Sequence, residues 1–208
     1  MKPELNLPNV VTAIRILLTP LVILLMMSDD DVLVQLSGLI FLVAAVSDWY
    51  DGWYARRYNV MSPFGRFFDP LADKVLIGAV FFAFAALNLF DLWMVIVIVA
   101  RDVVVTVLRV IADRKEKPVV TSRAAKVKTA LQLVFLSYIV GVYVVTHVAW
   151  IQRDIGVDRL RLLFSPWIVT GGMILLTILS VVTMLQYLIQ NRHIVRSLFN
   201  GVLARSTP

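Results

Sequence analysis

Residues 47 to 74 read S-D-W-Y-D-G-W-Y-A-R-R-Y-N-V-M-S-P-F-G-R-F-F-D-P-L-A-D-K, and four carboxylates stand there in two pairs, Asp48 with Asp51 and Asp69 with Asp73. Each pair adjoins a long apolar run of the kind that spans a membrane. Ionisable residues in such a place are costly and usually functional. On helices, spacings of three and four residues put the members of each pair on one face, so two antiparallel helices would bring all four carboxylates together. Four converging anions repel strongly at low dielectric unless cations hold them, and an all-oxygen donor set suits hard divalent ions. The plainer alternative is a set of interfacial ion pairs with Arg56, Arg57, Arg66 and Lys74.

Composition sets the surroundings of this stretch. The chain has 208 residues, of which 60% are hydrophobic, and its mean hydropathy is +0.83. That is too apolar for a soluble domain, and it is enough chain for about six spanning helices of roughly 20 residues each. The expected fold class is therefore all-α, a polytopic membrane protein of about six transmembrane helices forming one domain over residues 1–208. A net charge of +6 would suit nucleic acid, but the basic residues cluster beside apolar runs. That pattern fits the positive-inside rule and anionic headgroups, so membrane lipids and not nucleic acid are the expected partners. With no cysteine, disulfides, thiolate nucleophiles and zinc–thiolate sites are excluded. The two histidines, His147 and His193, stand too far from the acidic stretch to suggest an imidazole metal site.

In chain order, residues 1–8 read as a short interfacial segment, with Asn9 as N-cap of a first span reaching about residue 27. Arg15 lies inside that span, either snorkelling to headgroups or serving a site, and Thr12 precedes it by one turn on nearly the same face. No small-residue cleavage site follows, so this run reads as a retained helix. The acidic loop 28–31 reads as a solvated, non-cytoplasmic turn in preference to a calcium site. Span two, 32–47, then delivers Asp48 to the opposite side, where Trp49, Tyr50, Trp53 and Tyr54 form an aromatic belt. Ser62-Pro63 is an N-cap and first-turn pair for span three, which would end near residue 89, with Pro70 as a kink. Span four would run to about residue 111 with Arg101-Asp102 near mid-depth and Arg109 toward its end. The segment 112–128 carries six basic and two acidic residues, which marks it as cytoplasmic. Span five is expected at 129–150, a mixed loop at 151–165 and span six at 166–189. A basic tail, 190–208, places the C-terminus on the cytoplasmic side with the N-terminus.

This topology puts the carboxylates level with Thr12, Arg15, Arg109, Lys126 and Lys128. Lys126 and Lys128 would diverge by roughly 200° on a helix, unless the helix begins near Ala125. Two divalent cations held by four aspartates suit displacement at a phosphate, where metals neutralise charge on the entering and leaving oxygens.

The spacing D-x2-D-G-x2-A-R-x8-G-x3-D-x3-D, met by Asp48, Asp51, Gly52, Ala55, Arg56, Gly65, Asp69 and Asp73, resembles the motif of the CDP-alcohol phosphotransferases. The small residues there would let a flat nucleotide approach the backbone, and Arg56 offers a planar fork to phosphate. The resemblance implies transfer of a substituted phosphoryl group from a CDP-linked donor to an alcohol, with release of CMP. It implies two divalent cations, Mg2+ or Mn2+, on Asp48, Asp51, Asp69 and Asp73, with Asp73 also the general base. Thr12, Asp51, Gly52, Ala55, Arg56 and Gly65 would form the nucleotide site.

Beyond the motif, N-L-P-N-V-V-T-A-I-R at 6–15, A-R-D at 100–102, Leu108-Arg109 and A-K-V-K-T at 125–129 are similar to the phosphatidylglycerophosphate synthases of that family. Asp102 stands where glutamate is more usual, and Ala125 where glycine is. This likeness implies CDP-diacylglycerol as donor and sn-glycerol 3-phosphate as acceptor, whose phosphate Arg101, Arg109, Lys126 and Lys128 would hold. It also implies a homodimer in the cell inner (plasma) membrane with its site at the cytoplasmic face. A phosphatidylinositol phosphate synthase, whose acceptor also carries phosphate, is one alternative. A cation channel or transporter with an acidic site is another, although the motif's glycines, alanine and arginine have no role there.

Overall fold

A computed structural model describes residues 7–58, 65–114 and 122–192, with side chains described except at 7–13, 48–58, 65–73, 113–114, 157–158 and 161. The start of span three at Ser62-Pro63, residues 1–6 of the interfacial segment, residues 115–121 and the tail from 193 lie outside the described residues. The described chain is helical throughout: α1 Leu7–Met26, α2 Asp31–Tyr58, α3 Gly65–Ala86, α4 Leu92–Arg114, α5 Arg123–Val145, α6 Ala149–Ile155, α7 Val157–Leu163 and α8 Pro166–Gln190.

Local chemistry explains the boundaries. Helix α1 already includes Pro8 and Asn9, so Asn9 is not the N-cap expected from sequence; proline is tolerated in a first turn, where its missing N–H has no intrahelical partner. The 28–31 loop caps α2: the Asp30 carboxylate accepts from the Val32 N–H at 2.8 Å, and the Ser28 hydroxyl accepts from the Asp30 N–H at 3.1 Å. At the end of α3, Asn88 adopts a left-handed φ of 58°. The Leu89 N–H then reaches the Phe84 carbonyl at 2.9 Å and the Asn88 N–H reaches Ala85 at 3.0 Å, a Schellman stop that satisfies two end carbonyls. Helix α5 begins earlier than the expected 129, because the Ser122 hydroxyl caps it on the Ala125 N–H at 3.2 Å. The expected loop at 151–165 is instead the short helices α6 and α7, separated by Gly156 at φ 84°. Pro166 opens α8 at its first position, where its fixed φ suits a helix start.

Short connections between α1 and α2 and between α3 and α4 make those pairs antiparallel, and α1 packs against both α2 and α3. Helix α3 continues the packing to α4, α4 to α8, and α8 to α5, which returns to α2 and α3. The shared interior is filled by Val22, Phe41, Phe81, Phe84, Ile98 and Leu136 among others. At the end where α1, α3 and α5 finish, aromatic rings close the bundle. Phe90 lies 5.3 Å from Phe84 and 6.1 Å from Phe135, and Phe84 meets Tyr143 edge-on at 5.6 Å. The Phe135 ring lies over Gly172 so closely that a Cβ there would overlap it.

The outer faces are as apolar as the inside. Leu17 (73% exposed), Leu24 (72%), Val134 (66%), Trp167 (88%) and Ile189 (69%) face outward, a distribution that water would oppose and hydrocarbon would not. Helices α5 and α8 are long and apolar enough to cross a membrane, and shorter apolar helical stretches cover Ile14–Met26, Asp31–Ser47 and Lys74–Ala86.

Candidate functional site

The acidic stretch occupies the adjoining ends of two helices. Asp48 and Asp51 belong to α2, which continues unbroken to Tyr58, and Asp69 and Asp73 belong to the first turns of α3. Residues 59–64 join these ends, so both pairs lie toward the same end of the bundle, opposite the aromatic closure. Helical spacing keeps each pair on one face. Gly52, Ala55 and Arg56 lie on the same stretch of α2, Gly65 opens α3, and Thr12 lies in α1, which packs against both. The side chains of all these residues, the four carboxylates included, lie outside the described set. Among the described residues no group of three or more His, Asp or Glu could hold a metal. Carboxylates offer oxygen donors only, the chemistry that fits a hard divalent cation.

The basic residues are described more fully, and two of them prove to be deeply buried. Arg101 and Asp102 on α4 are 8% and 4% exposed, and Lys128 and Gln132 on α5 are 0% and 1% exposed. The Lys128 ammonium donates to Asp102 Oδ1 at 2.7 Å and to Gln132 Oε1 at 2.6 Å. Arg101 Nη1 donates to the same Oδ1 at 3.0 Å. One carboxylate oxygen thus gathers two cations from two helices, and Lys74, the residue after Asp73, lies within electrostatic reach of it. Among the described side chains, three cations face one carboxylate, an excess of positive charge in a setting where unpaired charge is expensive. Beside Arg101 a cavity of about 280 Å³ opens between α4 and α8, walled also by Ser180 and apolar side chains such as Val97 and Met184.

The remaining sequence-predicted cations separate. Lys126 is exposed while Lys128 is buried: α5 starts at Arg123, so both lysines are helical and point apart, and a start at Ala125 that would have let them converge does not occur. Arg109 is half-buried on α4, eight residues and so about 12 Å along the axis from Arg101. Arg15 is 4% exposed, which rules out snorkelling to solvent. Sequence reasoning put Arg101 beside Asp102 at mid-depth, and the two pair. It missed Gln132, whose only advance signal was its spacing of four from Lys128 on one helix face.

Similarity to known proteins accords with this layout. A family model described as CDP-alcohol phosphatidyltransferase matches residues 5–157, which include every candidate site residue. A protein of Rickettsia felis named CDP-diacylglycerol–glycerol-3-phosphate 3-phosphatidyltransferase is 38% identical over 140 residues, 67% of this chain and 77% of its own length. Proteins of the same name from Bacillus subtilis and Salmonella choleraesuis are 37% identical over 144 residues and 33% identical over 141; they align with 64% and 65% of this chain and over 75% and 77% of their own lengths. With the motif, two adjoining acidic helix ends and a family match over more than half its length, the chain belongs to the CDP-alcohol phosphatidyltransferase family.

Proposed function

We propose that the protein transfers a phosphatidyl group from CDP-diacylglycerol to sn-glycerol 3-phosphate, giving phosphatidylglycerophosphate and CMP. The observation that carries this reading is the pairing of the family's acidic motif, at one end of the bundle, with an excess of cations on α4 and α5. A phosphorylated acceptor needs such cations. An acceptor without phosphate, such as serine or glycerol, does not. The names of the relatives from Rickettsia, Bacillus and Salmonella support the same donor and acceptor.

Asp48, Asp51, Asp69 and Asp73 would hold two divalent cations, Mg2+ or Mn2+, which when bound supply neutralisation of phosphate charge. Thr12, Asp51, Gly52, Ala55, Arg56 and Gly65 would frame the cytidine diphosphate, the small residues by admitting close approach and Arg56 by its fork. Asp73 would take the proton from the acceptor hydroxyl. That oxygen bonds to the phosphorus carrying diacylglycerol, the bond from this phosphorus to the bridging oxygen breaks, and CMP leaves with that oxygen. Arg101, Arg109 and Lys126 would hold the acceptor phosphate, Arg109 and Lys126 from accessible positions and Arg101 from the buried layer beneath, where Lys128, expected from sequence among these ligands, is fully buried and bound to Asp102.

The membrane arrangement belongs to the same proposal. Six helices of 20 to 28 residues, α1 to α5 and α8, each reach about 30 Å or more, enough to span the hydrocarbon of a bilayer. Both termini and the catalytic end would then face the cytoplasm from the inner (plasma) membrane, and the likeness to the family implies a homodimer. The absence of cysteine makes this testable with single introduced cysteines. Asp30→Cys should react with an impermeant maleimide from outside intact cells and Arg123→Cys only after lysis; the reverse pattern contradicts the orientation. For the chemistry, purified protein given both substrates should form phosphatidylglycerophosphate with Mg2+ or Mn2+ and none in EDTA. Product formation unaffected by EDTA after dialysis would refute the metal-assisted reading.

A further inference from the structure

We infer that Asp102 and Gln132 are positioning residues for the acceptor phosphate, and that they act by fixing Arg101 and Lys128 so that the side-on edge of the Arg101 guanidinium is kept for an oxyanion. The inference rests on the acceptor assigned above, and it starts from hydrogen-bond accounting. Arg101 spends only Nη1, on Asp102 Oδ1 at 3.0 Å. Its Nε and Nη2 are buried and without a hydrogen-bond partner among the described residues. These two N–H groups are the adjacent parallel donors with which arginine grips phosphate or carboxylate bidentately. An isolated buried donor costs free energy, and two on one edge of a charged group are a specific pattern.

The anchor on the other side is over-determined. Lys128 is fully buried, and its ammonium is not left over for a ligand. Its ammonium instead ties Asp102 on α4 to Gln132 on α5, at 2.7 and 2.6 Å. Gln132 Nε2 is in turn buried and without a partner among the described residues, so the amide is oriented by Lys128 and not by a group of its own. Among the described side chains the unmatched polar atoms of this cluster, Arg101 Nε and Nη2 and Gln132 Nε2, are all donors, the Ser180 hydroxyl is unmatched across the cavity, and the net charge of the described groups is positive. A cluster with surplus donors and surplus positive charge is complementary to an anion. Asp102 sets where the guanidinium edge points, Lys128 holds Asp102, and Gln132 holds Lys128.

A merely structural cluster would affect folding and both substrates alike, whereas a positioning cluster affects the acceptor. The test is steady-state kinetics on the purified full-length protein in lipid-detergent micelles, with thermal unfolding measured in parallel. Gln132→Met keeps length and removes the acceptor atom; it should raise the KM for glycerol 3-phosphate about tenfold, the scale of one hydrogen bond to a charged group, with the KM for CDP-diacylglycerol within about twofold. Asp102→Asn should raise the acceptor KM further, and Asp102→Glu, which keeps the carboxylate, should recover most of the loss. Where Asp102→Asn leaves Lys128 uncompensated and does not fold, the double variant Asp102→Asn/Lys128→Met removes both charges. It should regain thermal stability and still show the high acceptor KM. Recovery of the acceptor KM along with stability, or an unchanged acceptor KM in Gln132→Met, overturns the inference. If the wild-type protein uses only acceptors without phosphate, the functional reading falls and this one with it; if the wild type uses glycerol 3-phosphate and the variants keep its KM, this inference alone falls.

Discussion

The two ends of the bundle solve opposite problems. At the far end, neutral groups close the structure: the Tyr143 hydroxyl donates to the Met26 carbonyl at 3.1 Å, Gln35 donates to the His147 carbonyl at 2.7 Å, and Gln152 donates to the Thr146 carbonyl. Aromatic rings fill the space beneath. Each of these three side chains satisfies a backbone carbonyl near a helix end. Toward the other end lie four carboxylates on α2 and α3, and between them and mid-bundle a buried group of cations with donors to spare. A protein tolerates such imbalance where a ligand will redress it. On the proposed function, stability and chemistry are divided along the helix axes, so substitutions at the two ends should have separable consequences.

The largest effect expected of that division is at the aspartates. Asparagine at 48, 51 or 69 should lower turnover by about three orders of magnitude or more, since metal-assisted charge stabilisation supplies several kcal/mol, while the protein remains inserted and folded. Turnover and divalent-ion binding measured on the same preparation check this. Asp73→Asn should lower kcat by about 10²–10⁴-fold, the range for a lost general base, yet keep CDP-diacylglycerol binding better than Asp48→Asn does. Near wild-type turnover in Asp73→Asn would remove the base from that residue. Next in size, Arg109→Ala or Lys126→Ala should raise the KM for glycerol 3-phosphate by about tenfold, the scale of one charge-assisted hydrogen bond, and leave that for CDP-diacylglycerol nearly unchanged. Arg109→Lys should restore only part, because a point charge does not reproduce a bidentate fork.

The smallest effects on activity, and a break in the comparison if they fail, belong to the far end. Tyr143→Phe removes one hydrogen bond and should cost about 1 kcal/mol of stability. Gly172→Leu would drive a side chain into the Phe135 ring and should cost about 1–3 kcal/mol. Thermal unfolding should report both, with the KM values of both substrates unmoved. A far-end substitution that changed acceptor KM as Arg109→Ala does would show that the ends are coupled.

The two ends also differed in how far the sequence disclosed them. The acidic stretch was legible because its information is local: eight positions at fixed spacing on two helices flanking a short connection, each pair set on one face by helical periodicity. The helical class and the long helices were legible for the same reason, since apolar runs of some 20 residues need no partner to be recognised. The cationic network was only half legible. Arg101-Asp102 are neighbours in sequence, but the bond from Asp102 to Lys128 joins residues 26 apart and depends on how α4 and α5 pack. Lys126 and Lys128 looked equivalent as charges and differ only because the Ser122 cap starts α5 where it does, which turns one into the core and the other outward. The helices α6 and α7 were missed because each has only seven residues, too few to carry a periodic signal.

The central claim is that the cations of α4 and α5 select a phosphorylated acceptor. It is tested most directly by CMP release from CDP-diacylglycerol with glycerol 3-phosphate, inositol phosphate, inositol, serine and glycerol offered separately to the purified protein. The account predicts that kcat/KM for glycerol 3-phosphate exceeds that for every other acceptor, and that glycerol, which lacks only the phosphate, falls by about two orders of magnitude or more, as expected when a site built for a polar group meets a substrate without it. Equal or better use of glycerol, serine or inositol would contradict it.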